Sequence, residues 1–186
     1  MTLPPVTLIL GGARSGKSAY AESLIAAADE AGGRALYVAT AQAGDAEMAE
    51  RIRQHRMRRG DAWTTMEEPL EVAAALRRWS VPGRPVLVDC LTLWLSNLMA
   101  ADRDVGAEVA ALTGSLGVVR GPIVLVSNEV GLGLVPETPL GRAFRDHAGR
   151  LNQEVARLAD RVVFIAAGLP LALKDGKQTE KDRKRQ

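Results

Sequence analysis

Residues 11–18 have the sequence Gly11-Gly12-Ala13-Arg14-Ser15-Gly16-Lys17-Ser18, and we call this stretch the glycine loop. It follows a short apolar run and matches a glycine, four residues of any kind, and then Gly-Lys-Ser. The glycines allow successive backbone N–H groups to surround an anion, and the helix that follows adds the positive end of its dipole. A glycine-rich turn could match by chance, but the order of apolar run, loop and helical segment is the one that phosphate binding needs. The loop therefore predicts a nucleoside triphosphate site.

Three side chains are predicted to act on the phosphates or on a metal ion. Lys17 is expected to place its ammonium group on the β and γ phosphates, and the Ser18 hydroxyl to bind Mg²⁺. Asp89 follows the apolar run Val86–Val88, and proteins with such a loop hold Mg²⁺ on an acid at this position, directly or through water. Asp is also a favoured N-cap, so Asp89 could instead cap the helix that follows. The presence of the glycine loop favours the metal role.

Short apolar runs alternate with longer segments of helical character along the chain. The predicted strands are Val6–Leu10, Ala35–Ala39, Val86–Val88, Ile123–Val126 and Val162–Ala166. The predicted helices are Lys17–Glu30, Asp45–Arg58, Leu70–Ser80, Leu91–Ala100, Ala107–Val119 and Leu140–Ala159. Continuous apolar runs are typical of strands that are covered on both faces. The pattern predicts an α/β fold, with a mostly parallel sheet and helices on both of its faces.

The composition is that of a globular protein and excludes several other classes. Of the 186 residues, 47% are apolar and 25% are charged. The single cysteine, Cys90, excludes an internal disulfide framework and a zinc site built from cysteines. No apolar run approaches the ~20 residues that span a bilayer, and the first residues lack the pattern of a signal peptide. We therefore expect a soluble, cytoplasmic protein without a membrane span.

The charges divide the chain into a body and a tail. The net charge is +2, and residues 174–186 contribute six basic and three acidic residues, so residues 1–173 carry −1. The tail has no apolar residue and cannot offset the entropy lost on ordering, so we expect it to be disordered. The body, residues 1–173, is predicted to be one nucleotide-binding domain.

Residues 45–60 form a second candidate site, with five arginines and one histidine. The arginines are Arg51, Arg53, Arg56, Arg58 and Arg59, and the histidine is His55. A solvated helix whose acids come first and whose arginines come last is the simpler explanation. The alternative is that the guanidinium groups hold a triphosphate.

Beside phosphates, His55 could do one of two things. It could carry a proton, or its neutral imidazole could attack a phosphorus atom and hold it as a phosphoramidate. Nearby arginines favour the neutral form by charge repulsion. The residues alone do not distinguish these roles. His147 lies in a polar helical segment, where an imidazole without a chemical role is expected.

Five ordered groups of residues identify a resemblance that covers about Leu8 to Leu173. They are Gly11–Ser18; Arg51-Ile52 with His55, Arg59, Trp63, Thr65, Glu67 and Pro69; Val88–Asn97; Ser127–Gly133 with Pro136-Glu137; and Phe144–Asp146, Gly149–Gln153 and Ala167–Pro170. Together they resemble the bifunctional adenosylcobinamide kinase/adenosylcobinamide-phosphate guanylyltransferase family of cobalamin biosynthesis. The family is similar to RecA-like proteins of the P-loop NTPase type, which implies that fold here.

The resemblance also implies an activity and a set of site residues. Adenosylcobinamide is phosphorylated with ATP or GTP, and GMP then passes from GTP to adenosylcobinamide phosphate through a guanylylated histidine, which falls on His55. The implied nucleotide contacts are the glycine loop, Val38, Ala39, Thr40, Arg56, Met57, Arg58, Arg59, Glu67 and Asp89. Family members act with Mg²⁺ and form oligomers, a trimer among them. Residues Ser127–Gly133 and Phe144–Gln153 match the family pattern, but the residues themselves indicate subunit contact or strand support as much as substrate contact.

Two rival functions fit parts of the pattern. One is a P-loop kinase of another small metabolite, in which His55 only holds phosphate. The other is a nucleotide-dependent nucleic-acid binder that uses the arginines and the basic tail. The charge of the body and the scarcity of aromatic residues near the arginines, where only Trp63 is found, argue against nucleic acid as a partner.

Overall fold

The structure, a computed structural model, describes residues 2–28, 35–42, 44, 46, 49–50, 53, 57 and 63–176. Its strands are β1 (Val6–Gly11), β2 (Ala35–Ala39), β3 (Trp63–Glu67), β4 (Val86–Asp89), β5 (Ile123–Val126), β6 (Arg161–Ala166) and β7 (Leu169–Lys174). Its helices are α1 (Lys17–Ala27), α2 (Val72–Trp79), α3 (Leu91–Ala100), α4 (Val105–Leu116) and α5 (Pro139–Leu158).

All these strands form one sheet in the order β3-β2-β4-β5-β1-β6-β7. Neighbouring strands from β3 to β6 pair in parallel, and β7 pairs with β6 in the antiparallel direction. Strand β5 lies between β4 and β1, so it separates the strand that ends at Asp89 from the strand that leads into the glycine loop. The predicted α/β class with a mostly parallel sheet is confirmed.

Each central strand contributes side chains to two cores, one on each face of the sheet. In β1, Leu8 and Leu10 pack with side chains of α2 to α5, whereas Ile9 packs on the opposite face with Ala21 and Ile25 of α1. Because alternate residues of a strand point to opposite faces, a strand covered on both faces is apolar at nearly every position. This explains why the central strands have continuous apolar sequences.

Strand β3 was not predicted from the sequence. Its residues, Trp63–Glu67, are half-buried or exposed, because the strand lies at the edge of the sheet and pairs only with β2 among the described strands. Its sequence, Trp-Thr-Thr-Met-Glu, therefore lacks the apolar run by which the central strands were found. Pairing with β2, rather than burial, makes this segment a strand.

Strand β7, at the opposite edge, was also not predicted. The chain reverses at Ala167 and Gly168, whose φ angles of 51° and 79° lie in the left-handed region that short hairpin turns need. The tail was predicted to begin at Lys174, but Lys174 is the last residue of β7. Its ammonium group donates to the carbonyl oxygens of Ala156, Arg157 and Ala159, at the end of α5. Carbonyl groups at a helix end lack partners within the helix, so the lysine supplies donors where they are needed.

Two helices start earlier than predicted because of their caps. The Asp104 side chain accepts a hydrogen bond from Ala107 N (3.0 Å), so α4 begins at Val105. The Thr138 hydroxyl accepts from Gly141 N (3.1 Å), and Pro139 occupies the first turn of α5, where its missing N–H costs nothing.

Two sequence predictions fall mainly outside the described residues. They are the helix at Asp45–Arg58 and the disordered tail at residues 174–186. Among the helices that are described, none combines the length and the apolar character that crossing a bilayer requires.

Candidate functional site

The glycine loop connects the end of β1 to the start of α1. Gly11 is the last residue of β1, and Lys17 and Ser18 are the first residues of α1. Lys17 is only 7% exposed, and its ammonium group donates to the Gly12 carbonyl oxygen at 2.6 Å. The lysine therefore lies back across the loop, with its charge held inside the turn that the backbone makes.

Gly11 is the position in this loop where a side chain fits least. Its φ is +152°, and a Cβ built there would lie 2.4 Å from the Ile165 carbonyl oxygen and 2.8 Å from Ser15 Oγ. The backbone of β6 thus approaches β1 too closely for any residue other than glycine. Farther along the loop, Gly168 N donates to Ser15 O at 2.9 Å, so the turn between β6 and β7 supports the loop from outside.

Ser15 carries a polar atom that fits an anion site. Its Oγ is buried and has no hydrogen-bond partner among the described residues. A buried hydroxyl without a partner is costly, and a phosphate oxygen would accept its hydrogen bond. This orphaned hydroxyl and the N–H groups at the start of α1 together suit the phosphates of a nucleotide.

The ends of three neighbouring strands bring further predicted site residues together. In the parallel register, Ala39 of β2 lies beside Glu67 of β3 on one side and beside Asp89 of β4 on the other. Thr40 follows directly, and its N–H donates to Asp89 O at 3.3 Å. These residues lie at the same edge of the sheet as the glycine loop, because parallel strands place all their carboxyl ends on one edge.

Asp89 does not cap the helix that follows it. The N-cap of α3 is Cys90, and no side chain caps this helix end. The Asp89 Oδ2 instead accepts a hydrogen bond from the Tyr37 hydroxyl at 2.8 Å, and the carboxylate is half-buried. A carboxylate held in place at the edge of the sheet that carries the glycine loop supplies the hard oxygen ligands that suit Mg²⁺. Sequence reasoning missed Tyr37, whose place in an apolar strand indicated only a core residue.

Lys17, Asp89 and Cys90 interact electrostatically. Burial lowers the pKa of Lys17 below the ordinary lysine value, and Cys90 and Asp89 oppose that shift. Burial, followed by the charge of Asp89, raises the pKa of the Cys90 thiol to about 11. The charge of Asp89 therefore favours the charged form of Lys17, while the Cys90 thiol stays neutral.

The Cys90 thiol is expected to be unreactive in the folded protein. With its pKa near 11, about one thiol in a thousand is ionised at pH 8, and only the thiolate attacks disulfide reagents. Without Mg²⁺ and nucleotide, Ellman's reagent should label the native chain hundreds of times more slowly than the chain unfolded in guanidinium. Since Cys90 is the one cysteine, the unfolded chain should release a single equivalent. Fast labelling of the native chain would contradict its burial.

A hydrogen-bonded support under Thr40 was not foreseen from the sequence. The Thr40 hydroxyl donates to Cys90 O and accepts from Cys90 N, both at 2.8 Å. The Asn97 side chain of α3 donates to Thr40 O (2.8 Å) and to Pro69 O (3.1 Å). These bonds connect the ends of β2 and β4 and the segment after β3, so they fix the geometry of the strand ends. The sequence signal was the amide Asn97 in a mostly apolar helix.

A second support holds the segment that follows β5. Asn128 N donates to the Thr92 hydroxyl of α3 at 2.7 Å, and Asn128 O accepts from the Asn152 side chain of α5 at 3.1 Å. The Thr92 and Ser127 hydroxyls lie 3.4 Å apart. Sequence reasoning singled out Ser127–Gly133 and Phe144–Gln153 without a firm role, and strand support is one role that the structure gives them.

Part of the predicted site lies outside the described residues. This applies to His55, Arg56, Arg58 and Arg59. Of their neighbours, Met57 is 71% exposed, and Arg53 forms an exposed ion pair with Glu50 at 2.6 Å. His147, the other histidine, is half-buried in α5.

Comparison with known proteins identifies the family. Residues 7–173 match the family model described as cobinamide kinase / cobinamide phosphate guanyltransferase. The chain belongs to this family. It is therefore a kinase and guanyltransferase of cobalamin biosynthesis, as the ordered motifs of the sequence implied.

Relatives of the enzyme extend over nearly its whole length. It is 54% identical to the bifunctional adenosylcobalamin biosynthesis protein CobP of Pseudomonas aeruginosa, over 90% of this chain and 96% of that one. It is 37% identical to the bifunctional adenosylcobalamin biosynthesis protein CobU of Escherichia coli, over 90% of this chain and 98% of that one.

Solved structures with a similar fold are distant in sequence. The flagellar accessory protein FlaH of Methanocaldococcus jannaschii has a TM-score of 0.53 at 12% identity, covering 94% of this chain and 80% of that one. The Pyrococcus horikoshii protein PH0250 has a TM-score of 0.55 at 10% identity, covering 96% and 90%. At such identities the likeness concerns the fold alone.

Proposed function

We propose that the two transfers of this enzyme share the one nucleotide site at the carboxyl edge of the sheet. The observation that carries the proposal is that this edge combines a glycine loop, a buried lysine and a fixed carboxylate. Lys17 lies across the loop, and Asp89 is close enough to affect its pKa. A loop of this kind binds the phosphates of ATP or GTP, and Ser18 and Asp89 would hold Mg²⁺ beside them.

The first transfer moves the γ-phosphoryl group of a nucleoside triphosphate to the hydroxyl of adenosylcobinamide. Lys17 and the N–H groups at the start of α1 bind the phosphate oxygens and stabilise the charge that develops on them. Ser18 and Asp89 would hold Mg²⁺, whose charge would offset that of the phosphates. Positioning and charge neutralisation supply most of the acceleration in phosphoryl transfer, and the strand-end supports at Thr40 and Asn128 provide that positioning.

The second transfer moves GMP from GTP to adenosylcobinamide phosphate through His55. The imidazole nitrogen attacks the α-phosphorus of GTP and pyrophosphate leaves; a phosphate oxygen of the corrinoid then takes the guanylyl group from the histidine. A covalent intermediate divides one crowded transfer into two steps. Guanidinium groups of Arg56, Arg58 and Arg59 would balance the charge of the departing pyrophosphate. The residues Val38, Ala39, Glu67 and Met57 complete the proposed nucleotide contacts.

The covalent step can be tested with GTP labelled at the α-phosphorus. Incubated with Mg²⁺ and this GTP, the wild-type chain should retain label after denaturation, and the linkage should be labile to acid and stable to alkali, as phosphoramidates are. His55→Ala should lose the label while it still phosphorylates adenosylcobinamide. The matched control is His147→Ala, which removes the other histidine and should label normally.

Two outcomes would contradict this mechanism. Label that persists in His55→Ala would assign the covalent step to another residue. A wild-type chain that phosphorylates the corrinoid but never acquires label would favour the rival function, a P-loop kinase in which the histidine only holds phosphate.

Oligomeric state and location remain predictions. The resemblance implies a homo-oligomer, a trimer in some members, and apolar side chains on the edge strand β7 support it. Leu169, Leu171 and Leu173 alternate along β7 and are each more than half exposed, the kind of apolar surface that subunit contacts cover. We place the enzyme in the cytoplasm, where ATP and GTP are available to it.

A further inference from the structure

The segment that follows β5 lies between the two halves of the nucleotide site. Val126, the last residue of β5, pairs with Asp89 on one side and with Ile9 of β1 on the other. The chain then continues along β1, since Ser127 N donates to Ile9 O (2.9 Å) and Glu129 N donates to Gly11 O (3.0 Å). Glu129 is thus hydrogen-bonded to the first residue of the glycine loop.

This segment is held more firmly than a surface connection requires. The backbone N–H and carbonyl groups of Asn128 are both bound by side chains, from Thr92 of α3 and Asn152 of α5. Thr92 and Asn152 are themselves 7% and 6% exposed. Two buried polar side chains from different helices therefore fix the backbone immediately before Glu129. Buried polar groups are expensive unless they are bonded, so such an arrangement points to a residue whose position matters.

We propose that the Glu129 carboxylate is the general base of the phosphoryl transfer. Glu129 is half-buried, and its Oε1 accepts a hydrogen bond from Gly131 N at 2.6 Å, which fixes the orientation of the carboxylate. Within the part of the chain that the structure describes, no donor binds the second oxygen, Oε2. An oriented carboxylate with one available oxygen, on a residue whose backbone N–H is bonded to the first residue of the glycine loop, is suited to accept a proton.

Only one of the two transfers requires a general base. In the kinase step the corrinoid hydroxyl oxygen forms a bond to the γ-phosphorus, and the bond from that phosphorus to the β–γ bridging oxygen breaks. The hydroxyl proton passes to Oε2 of Glu129 and later to water, and the nucleoside diphosphate leaves. In the guanylyl transfer the nucleophiles are the unprotonated nitrogen of a neutral imidazole and a phosphate oxygen that is already ionised near pH 7, so neither attacking atom carries a proton for a base to remove. The inference rests on the proposed shared site.

The substitution Glu129→Gln tests whether the side chain accepts a proton, apart from its structural role. Glutamine keeps a carbonyl oxygen for Gly131 N but cannot take the proton. In the full-length chain, kcat for phosphorylation of adenosylcobinamide should fall by roughly 10²- to 10⁴-fold, with KM for ATP unchanged. Transfer of GMP from GTP to supplied adenosylcobinamide phosphate should continue at the wild-type rate.

The matched control is Glu154→Gln, in which the replaced glutamate lies on α5 and forms an exposed ion pair with Arg157. It should leave both transfers unchanged. Kinase activity of Glu129→Gln close to that of wild type would overturn the proposal. It would mean that the kinase needs only the hydrogen bond from Gly131 N to this side chain, which glutamine keeps. Equal loss of both transfers would also overturn it, since a metal-binding or structural role affects both. Failure of the proposed function would show differently, in the wild-type chain, which would phosphorylate the corrinoid but never acquire label from GTP.

Discussion

Replacing Lys17 with alanine is expected to abolish binding of MgATP and MgGTP and to reduce both transfers by at least 10²- to 10³-fold, the usual cost of removing one charged group from developing phosphate charge. The lysine is buried across the glycine loop, with its ammonium group on Gly12 O at 2.6 Å, so no other described lysine can replace it. Burial lowers its pKa, which means that the folded protein disfavours its charged form. Loss of that charge removes an unfavourable burial, so we expect the variant to fold.

Isothermal titration calorimetry with each nucleotide, followed by both activity assays, measures the effect. Lys174→Ala is the matched control, because Lys174 is the other lysine among the described residues and its ammonium group binds carbonyl oxygens at the end of α5. This control should lower the free energy of unfolding by about 1 kcal/mol and leave nucleotide binding intact. If Lys17→Ala binds nucleotide like the wild type, the glycine loop is not the phosphate site.

The substitution Trp94→Ala is expected to lower the free energy of unfolding by about 3–5 kcal/mol, which is the usual cost of removing a buried aromatic side chain. Trp94 is fully buried in the core between the sheet and α2 to α5. Its Nε1 donates to Leu70 O at 2.7 Å, so the substitution would also leave that carbonyl without its donor. Leu70 follows Pro69, whose carbonyl oxygen accepts a hydrogen bond from the Asn97 side chain. We therefore expect the substitution also to loosen the segment that follows β3.

Urea unfolding of the full chain, followed by far-UV circular dichroism, measures this difference. Trp79→Ala is the matched control, since Trp79 is 37% exposed at the end of α2 and has the Arg78 guanidinium 5.0 Å from its ring centroid. An exposed pair of this kind contributes about 0.5–1 kcal/mol. Equal losses in the two variants would contradict the central position assigned to Trp94.

Sequence patterns identified the buried strands more reliably than the edge strands. A strand covered on both faces is mostly apolar, so Ile123–Val126 could be located from its composition alone. The edge strands β3 and β7 have fewer neighbours, and their sequences include Glu and Pro residues that interrupt the apolar pattern. These segments are strands because they pair with β2 and β6, and no local sequence pattern indicates such pairing.

The same distinction holds for the candidate site. The glycine loop could be located because phosphate binding by backbone groups requires glycines at fixed spacing. Asp89 could be located because it ends a buried strand. Its hydrogen bond to Tyr37, which lies 52 positions away in the chain, could not be located in this way. The hydrogen bonds of Thr92 and Asn152 to Asn128 likewise join residues 36 and 24 positions apart. Contacts at such separations depend on how helices pack, so they leave no periodic signal.

By itself, then, the sequence determined the nucleotide-binding loop, the α/β class and the family, because each depends on residues close together in the chain or on their order along it. Only the tertiary structure decided that β5 lies between β4 and β1. That strand order places Val126, and with it the start of the segment that carries Glu129, between Asp89 and β1, and it supports the role that we propose for this segment. The physical reason is that neighbouring strands are chosen by the packing of the whole sheet and its helices, and the free energy of that packing is not contained in any one segment.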